Sequence, residues 1–502
     1  MHILQATSEF YPYSKTGGLA DMVAGLSRAL VQRRHELSVV TPLYQGIKAR
    51  FEGLRPAGRP FIIPMGRSRK KLRYWVLSTG RRMKIYFVQH NEYYDRPELY
   101  MEHGEGYWDN PERFILFSKA VVRLAQSLKP RPHVVHCHDW QAGLVPSLLT
   151  QQFAANTRPM TCFTIHNLAY QGICGPDKFA LTGLPKSAFN VDGIEFFGRL
   201  NPMKAGLVFA DQLTTVSPNY TREILTSEFG EGLEGVLLTR QQSLKGILNG
   251  VDYDTWKTTG NPHLPFDYSA DDLSGKRRNK MALQRELKLP SSKNSQGPLF
   301  VSIGRLARQK GTELLLDSMN HWLQNNDGQL VILGSGDPTM ESRCQSLCIA
   351  HPDKVRACIS HDEPLAHKLE AAADFFVMPS LYEPCGLNQL YSLRYGTIPL
   401  VFSTGGLTDT VMDLREHPRT GTGFTIQSKS TEALFRTYTE ASALAKNRLK
   451  LNRIRKRGMR ADFSWNHSAE EYERLYLRNQ LHRNQRPNNQ RYASNDPDTT
   501  LT

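Results

Sequence analysis

Lys15 stands just before the paired glycines Gly17 and Gly18, and three cations, Arg305, Arg308 and Lys310, crowd the octapeptide 304–311. Paired glycines let a backbone turn tightly with its N–H groups bare, and a following helix N-terminus adds positive potential, so a phosphate fits beside Lys15. Arg305 and Lys310 carry the charge to clamp a diphosphate and to neutralise a leaving phosphate, whereas Arg308 reads as a solvated neighbour. A third loaded stretch is Glu383-Pro384-Cys385-Gly386-Leu387-Asn388. Its last three N–H groups would face an anion at the mouth of a helix, and Glu383 would face the same space as a substrate-binding carboxylate. Cys385, with no base beside it, reads as a small buried hydrophobe. His136, His138 and Asp139 end one apolar run and His166 ends another. Alternate residues on a strand point the same way, so at most one of the two histidines need be functional. Asp139 and His166 read as hydrogen-bonding partners of a polyhydroxylated substrate. Cys344 and Cys348 share a helix face but lack a second ligand pair, so no metal is expected.

These loops need elements that hold them. The octapeptide at 16–23, TGGLADMV, returns at 404–411 as TGGLTDTV with six of eight letters kept. Each copy follows a short apolar run and enters an amphipathic pattern, which suggests two similar α/β halves facing one ligand. Apolar, β-branched runs at 133–137, 160–165 and 212–216, then at 299–303, 329–333, 355–359 and 374–378, alternate with helical patterns. That is the signature of doubly wound parallel sheets. Polar and glycine-rich clusters follow the strands at their C-terminal ends, where open α/β sheets bind ligands. The join is expected in the aperiodic stretch 258–271, and a basic helix is expected over 446–460 with Leu449, Leu451, Ile454 and Met459 as its apolar members. An amphipathic helix carries Tyr472, Leu475 and Tyr476, and the polar residues from 483 on are expected to be disordered.

A chain of 502 residues exceeds one ordinary core. No long apolar window or basic leader is seen, and the seven scattered cysteines suit reduced thiols, so a cytoplasmic protein free of the membrane is expected. The net charge of +15 raises nucleic acid as a partner. Its concentrations at 67–73 and 446–460 lack interleaved aromatics, so solvated faces are favoured. No Gly-x-Gly-x-x-Gly fingerprint, phosphate loop or Gly-x-Ser-x-Gly elbow occurs; 334–338 is a partial match only. The residues thus describe a two-domain cleft enzyme for a phosphorylated ligand.

The segments KTGGLAD at 15–21, HDWQAGL at 138–144, FTIHNLAYQG at 163–172, GILNGVDYDTW at 246–256, GRLARQKG at 304–311 and EPCGLNQLYSLRYGTIPLV at 383–401 resemble the bacterial glycogen synthase and plant starch synthase family, in order along the chain. The resemblance implies a GT-B architecture, with a Rossmann-like acceptor-side domain over 1–257, a Rossmann-like nucleotide-sugar domain over 258–465 and a helix over 466–482 crossing back to the first. It implies retaining transfer of glucose from ADP-glucose to the non-reducing 4-OH end of an α-1,4-glucan such as glycogen, without cofactor or metal. Lys15, Arg305 and Lys310, with the Gly18 turn and the Gly386, Leu387 and Asn388 amides, would then meet the donor diphosphate. Asp21 and Asn249 would bind the nucleotide, and Asp139, His166, Glu383 and Cys385 would line the glucose pocket. His361 stands where the family has a tyrosine that stacks on adenine, Leu381 stands for an arginine, and Tyr391 stands where related transferases carry a second glutamate. The rival readings are a UDP-glucose or other donor, a phosphorolytic relative, and a glucan-binding protein without turnover.

Overall fold

The computed structural model describes residues 1–102, 104–291 and 297–485. Of the tail expected to be disordered, 483–485 end the helix Trp465–Gln485, and the rest, from 486 on, lies outside the described residues. The first half folds around a nine-stranded sheet. In spatial order its strands are Leu244–Gly246, Gln212–Thr215, Met160–Ile165, Val134–His138, His2–Ala6, Glu36–Pro42, Met83–Gln89, Ser68–Thr79 and Arg55–Met65. The first seven run parallel, and the last two add antiparallel at one edge. The second half holds six parallel strands, Val355–Cys358, Gln329–Leu333, Leu299–Ile303, Phe375–Met378, Ile398–Phe402 and Phe424–Ile426.

The central strands are buried on both faces, which explains why they lack an apolar–polar alternation with a solvated side: His2–Ala6 and Met160–Ile165 are buried at every position, Gln5, Thr161 and Thr164 included. Chain order reverses beside His2–Ala6, which lies between Glu36–Pro42 and Val134–His138. It reverses again beside Leu299–Ile303, between Gln329–Leu333 and Phe375–Met378. At such switch points the loops leaving adjacent strands diverge and open a crevice. The loops beginning at Thr7, Asp139, Gly304 and Pro379 therefore all leave from crevice edges.

The antiparallel edge was not expected from the charge run at 67–73. Its strands alternate as half-buried strands do, with Phe61, Ile63 and Met65 of one and Leu72, Tyr74 and Val76 of the other buried on the core side and Phe61 paired with Leu72. The helix Arg448–Arg460 also departs from expectation. Leu451, Ile454 and Met459 are buried, but Leu449 is 82% exposed. Arg455, read as part of a solvated face, turns inward to Asp374, which also pairs with Lys280 at 2.5 Å. The stretch 258–271 has no helix or strand, yet it buries Leu264 and Tyr268 against Tyr395.

The helix Trp465–Gln485 packs on the first half. Trp465, Ala469, Tyr472 and Tyr476 join that core, and Tyr476 shares a hydrogen bond of 2.8 Å with His136 Nδ1. Gly25 is obligatory there, because a Cβ on it would lie 2.0 Å from Trp465 Nε1. Among the described residues no helix is long and apolar enough to cross a membrane.

Candidate active site

Both switch points deliver their loops to one place. A Cβ on Gly18 would meet the Leu387 Cδ1 methyl at 3.4 Å, so the first glycine turn faces the mouth of the helix Asn388–Tyr395. The loops on the second side are sewn together: Leu381 N donates to Gln309 O at 2.9 Å, Gln309 Nε2 to Tyr382 O at 3.1 Å, and Asn388 Nδ2 to Ile303 O at 2.6 Å. Gly311, at φ +69°, lets Pro379 O approach within 1.9 Å of where a Cβ would stand. Within this frame Lys310 Nζ lies 2.5 Å from the buried Glu383 carboxylate. Arg305 is exposed beside them and donates to Gln309 Oε1 at 3.3 Å. Cys385 is buried, its thiol pushed up to about 12 by desolvation, which disfavours the thiolate a nucleophile needs.

Across the crevice Lys15 pairs with Asp21 at 3.0 Å. Burial raises the Asp21 carboxyl and the Lys15 ammonium opposes that rise; Glu363 of the second half, two residues after His361, adds a weaker raising effect. His361 is exposed just before the helix Glu363–Ala372. Asn249 is buried, and its Oδ1 has no hydrogen-bond partner among the described residues. Such an orphaned acceptor invites a donor from outside the chain.

Asp139 is held at φ +54°, ψ −178°, a region that is nearly glycine's alone and costs about 1–3 kcal/mol for other residues. Its Oδ1 accepts from His166 N at 2.8 Å, joining the ends of two adjacent strands. Burial lifts its carboxyl to about 7, with the His166 and Asn167 amides opposing the rise. His166 is kept neutral, pushed down to about 3 by desolvation. Its tautomer follows from a chain of contacts. Gln5 Oε1 accepts from His138 Nε2 at 2.7 Å, so His138 Nδ1 is the acceptor for His166 Nε2–H at 3.0 Å. His166 Nδ1 thereby keeps its lone pair. His138 is the fully buried partner that sets this, and His136 bonds Thr164 at 2.6 Å and Tyr476. Among the described residues no cluster of His, Cys, Asp and Glu suited to a metal occurs.

The expectation of bare N–H groups at the glycine turns needs correction. Glu9 fills the first turn, accepting from Thr16 N at 2.7 Å and Gly17 N at 3.3 Å, while Tyr100 OH donates to its other oxygen at 2.9 Å. At the equivalent position of the second turn, Gly405 N donates at 2.8 Å to Glu223, which comes from the opposite half. Asp409 reaches back to Asn219 N at 2.8 Å and to Ser217 Oγ, and Tyr382 bonds Tyr220. The second turn is therefore a seam between halves. Sequence reasoning missed Glu9 and Glu223 because a carboxylate in a distant loop carries no local mark of its partner. It also missed Trp256, whose ring stacks between Tyr391 at 3.7 Å and His367 at 4.1 Å.

Residues 2–239 match the family model described as the starch synthase catalytic domain, and residues 284–458 match that of glycosyl transferases group 1. The glycogen synthase of Anaeromyxobacter sp. (strain Fw109-5) is 46% identical over 95% of this chain and 99% of its own. The chain belongs to the glycogen and starch synthase family. A second family member, the glycogen synthase of Thioalkalivibrio sulfidiphilus (strain HL-EbGR7), is 44% identical over 95% of this chain and 99% of its own. The solved catalytic domain of starch synthase IV from Arabidopsis thaliana, bound to ADP and acarbose, superposes with a TM-score of 0.88 at 33% identity, covering 95% of this chain and 99% of that one. Sucrose-phosphate synthase from Thermosynechococcus elongatus, at 18% identity and a TM-score of 0.60, shares the fold. The two facing parallel-sheet domains are thus the GT-B architecture of glycogen and starch synthases.

Proposed function

We propose that this glycogen synthase relative transfers glucose from ADP-glucose to the non-reducing 4-OH end of an α-1,4-glucan with retention of configuration. The observation that carries the reading is the meeting of Lys310 with the buried Glu383 at one switch point, opposite the Lys15 and Asp21 pair at the other. As the bond from C1 to the donor phosphate breaks, negative charge grows on the diphosphate and positive charge on the sugar ring. Lys15, Arg305 and Lys310, with the Gly18 amide and those from Gly386 to Asn388, are assigned to the first. Asp139, Glu383 and the lone pair of His166 are assigned to the sugar hydroxyls and ring. Burial keeps His166 uncharged, so it adds no cation beside a developing sugar cation. A phosphate oxygen on the same face takes the proton of the attacking 4-OH, which accounts for retention without an enzyme nucleophile. On this reading residues 1–257 form the acceptor side and 258–465 the nucleotide-sugar side, with Asn249 and His361 at the nucleotide.

The test is to incubate the protein with glycogen and either ADP-glucose or UDP-glucose, then follow nucleotide release and chain growth. Release from ADP-glucose with lengthened chains is expected. Release only from UDP-glucose would replace the donor, and release from neither would end the transferase reading.

A further inference from the structure

The small hairpin of Glu195–Phe196 and Arg199–Leu200 turns through two residues only, Phe197 and Gly198, at φ +50° and +75°. Positive φ at both central positions is the pattern of a type I′ turn, which favours Asn-Gly or Asp-Gly because a bulky L side chain is strained there. Phenylalanine is the wrong residue for this turn. It is equally out of place on the surface, where Phe197 is 83% exposed and meets the Phe196 ring edge-on at 4.7 Å. Neither backbone preference nor burial accounts for the ring.

The hairpin is tied by hydrogen bonds to the chain that leads back to the site. Buried Lys204 donates from Nζ to Glu195 O and Val191 O, both at 2.6 Å. Leu200 and Cys174 exchange backbone hydrogen bonds of 3.0 Å. Asn201, the next residue, donates to Gln171 Oε1 at 2.6 Å. Gln171 belongs to the loop that begins at His166 and carries Tyr170, 52% exposed. The same loop lies against Trp140, directly after Asp139, through Gly172. Contacts thus run without a break from Asp139 and His166 to the hairpin.

We infer that Phe197 is an aromatic platform for the α-glucan acceptor, a binding contact outside the catalytic crevice; the inference rests on the glucan-acceptor reading above. A flat exposed ring matches the C–H face of a glucose unit. One ring on a two-residue turn is far too small for a second protein, since stable protein interfaces bury about 1,200–2,000 Å². A long polymer whose end lies at Glu383 offers further glucose units to such a ring.

The test uses the full chain with Phe197→Asn, which suits the turn, and Phe197→Trp, which keeps a ring. Migration is measured in native gels with and without glycogen, alongside melting temperature and kinetics. The Asn variant should melt at the same or a higher temperature, lose glycogen affinity and raise the glycogen KM by about 2- to 10-fold, the range of one aromatic contact. Its KM for ADP-glucose and its turnover on maltotriose should stay unchanged, and the Trp variant should retain affinity. Unchanged glycogen retardation in the Asn variant would overturn the inference. So would a lower melting temperature, which would make the ring structural, or a change in native mass, which would make it a self-interface. Retardation needs no turnover, so a protein that binds glycogen through Phe197 yet releases no nucleotide would sink the transferase reading alone.

Discussion

Lys310 and Glu383 come from loops 73 residues apart and share one contact, so the cation assigned to the phosphate and the carboxylate assigned to the sugar are set by a single geometry. Glu383→Ala is expected to lower the transfer rate by at least about 10²–10³ while glycogen retardation persists; turnover within tenfold of the parent would remove the assignment. The Asp139 carboxyl sits at about 7, so its charged form declines as pH falls through neutrality. An acidic limb in kcat/KM with its midpoint near 7 is expected, and Asp139→Asn should flatten it. The stability sign runs the other way. A raised folded pKa means that the Asp139 contribution is fully present below the unfolded value of 3.8 and is lost as pH rises to about 7. At the nucleotide end, His361→Tyr should lower the ADP-glucose KM by about 2- to 10-fold through a larger ring face; an unchanged KM would count against that placement. The strand-end positions of Asp139 and His166 were legible because polar residues stand out against apolar runs. The histidine tautomer was not, since it depends on Gln5, 133 residues from His138.

Among elements, the helix Arg448–Arg460 shows how far a charge run misleads. Asp374, 8% exposed, accepts from Lys280 at 2.5 Å, from Arg455 and from Leu299 N at 2.9 Å, and so ties two helices to the second sheet. Burial would raise its carboxyl, but Lys280 and Arg455 outweigh that and hold it well below the usual carboxylate range. Its stabilisation is therefore present above the unfolded value of 3.8 and lost as pH falls below it. Arg455→Met should cost about 3–5 kcal/mol by leaving a buried charge short of a partner, read as a lower denaturant midpoint; a loss below 1 kcal/mol would show the pair to be replaceable. The parallel strands were legible as apolar runs. The strand Ser68–Thr79 was not, although its period of two was present, because Arg69, Lys71 and Arg73 occupy its less buried positions. The partner that made Arg455 structural lay 81 residues upstream.

At the scale of the molecule, the repeated glycine octapeptide announced two similar halves, and two sheets with matching switch points answer it. Its copies differ in use: Glu9 closes the first within its own half, and Glu223 closes the second across the seam. The contacts of Asp409 with Ser217 and Asn219 hold the halves in register. Asp409→Ala is expected to enlarge the radius of gyration in small-angle scattering and to lower kcat, as weakened closure does. An unchanged radius would reject that role. The helix Trp465–Gln485 bears on how the molecule is made. Tyr476 completes the wall around His136, 340 residues earlier, so on the ribosome the half that emerges first waits for its own core. At about 5–20 residues per second that wait is about 17–70 s, during which apolar surface around His136 and Gly25 stands open to chaperones or to aggregation.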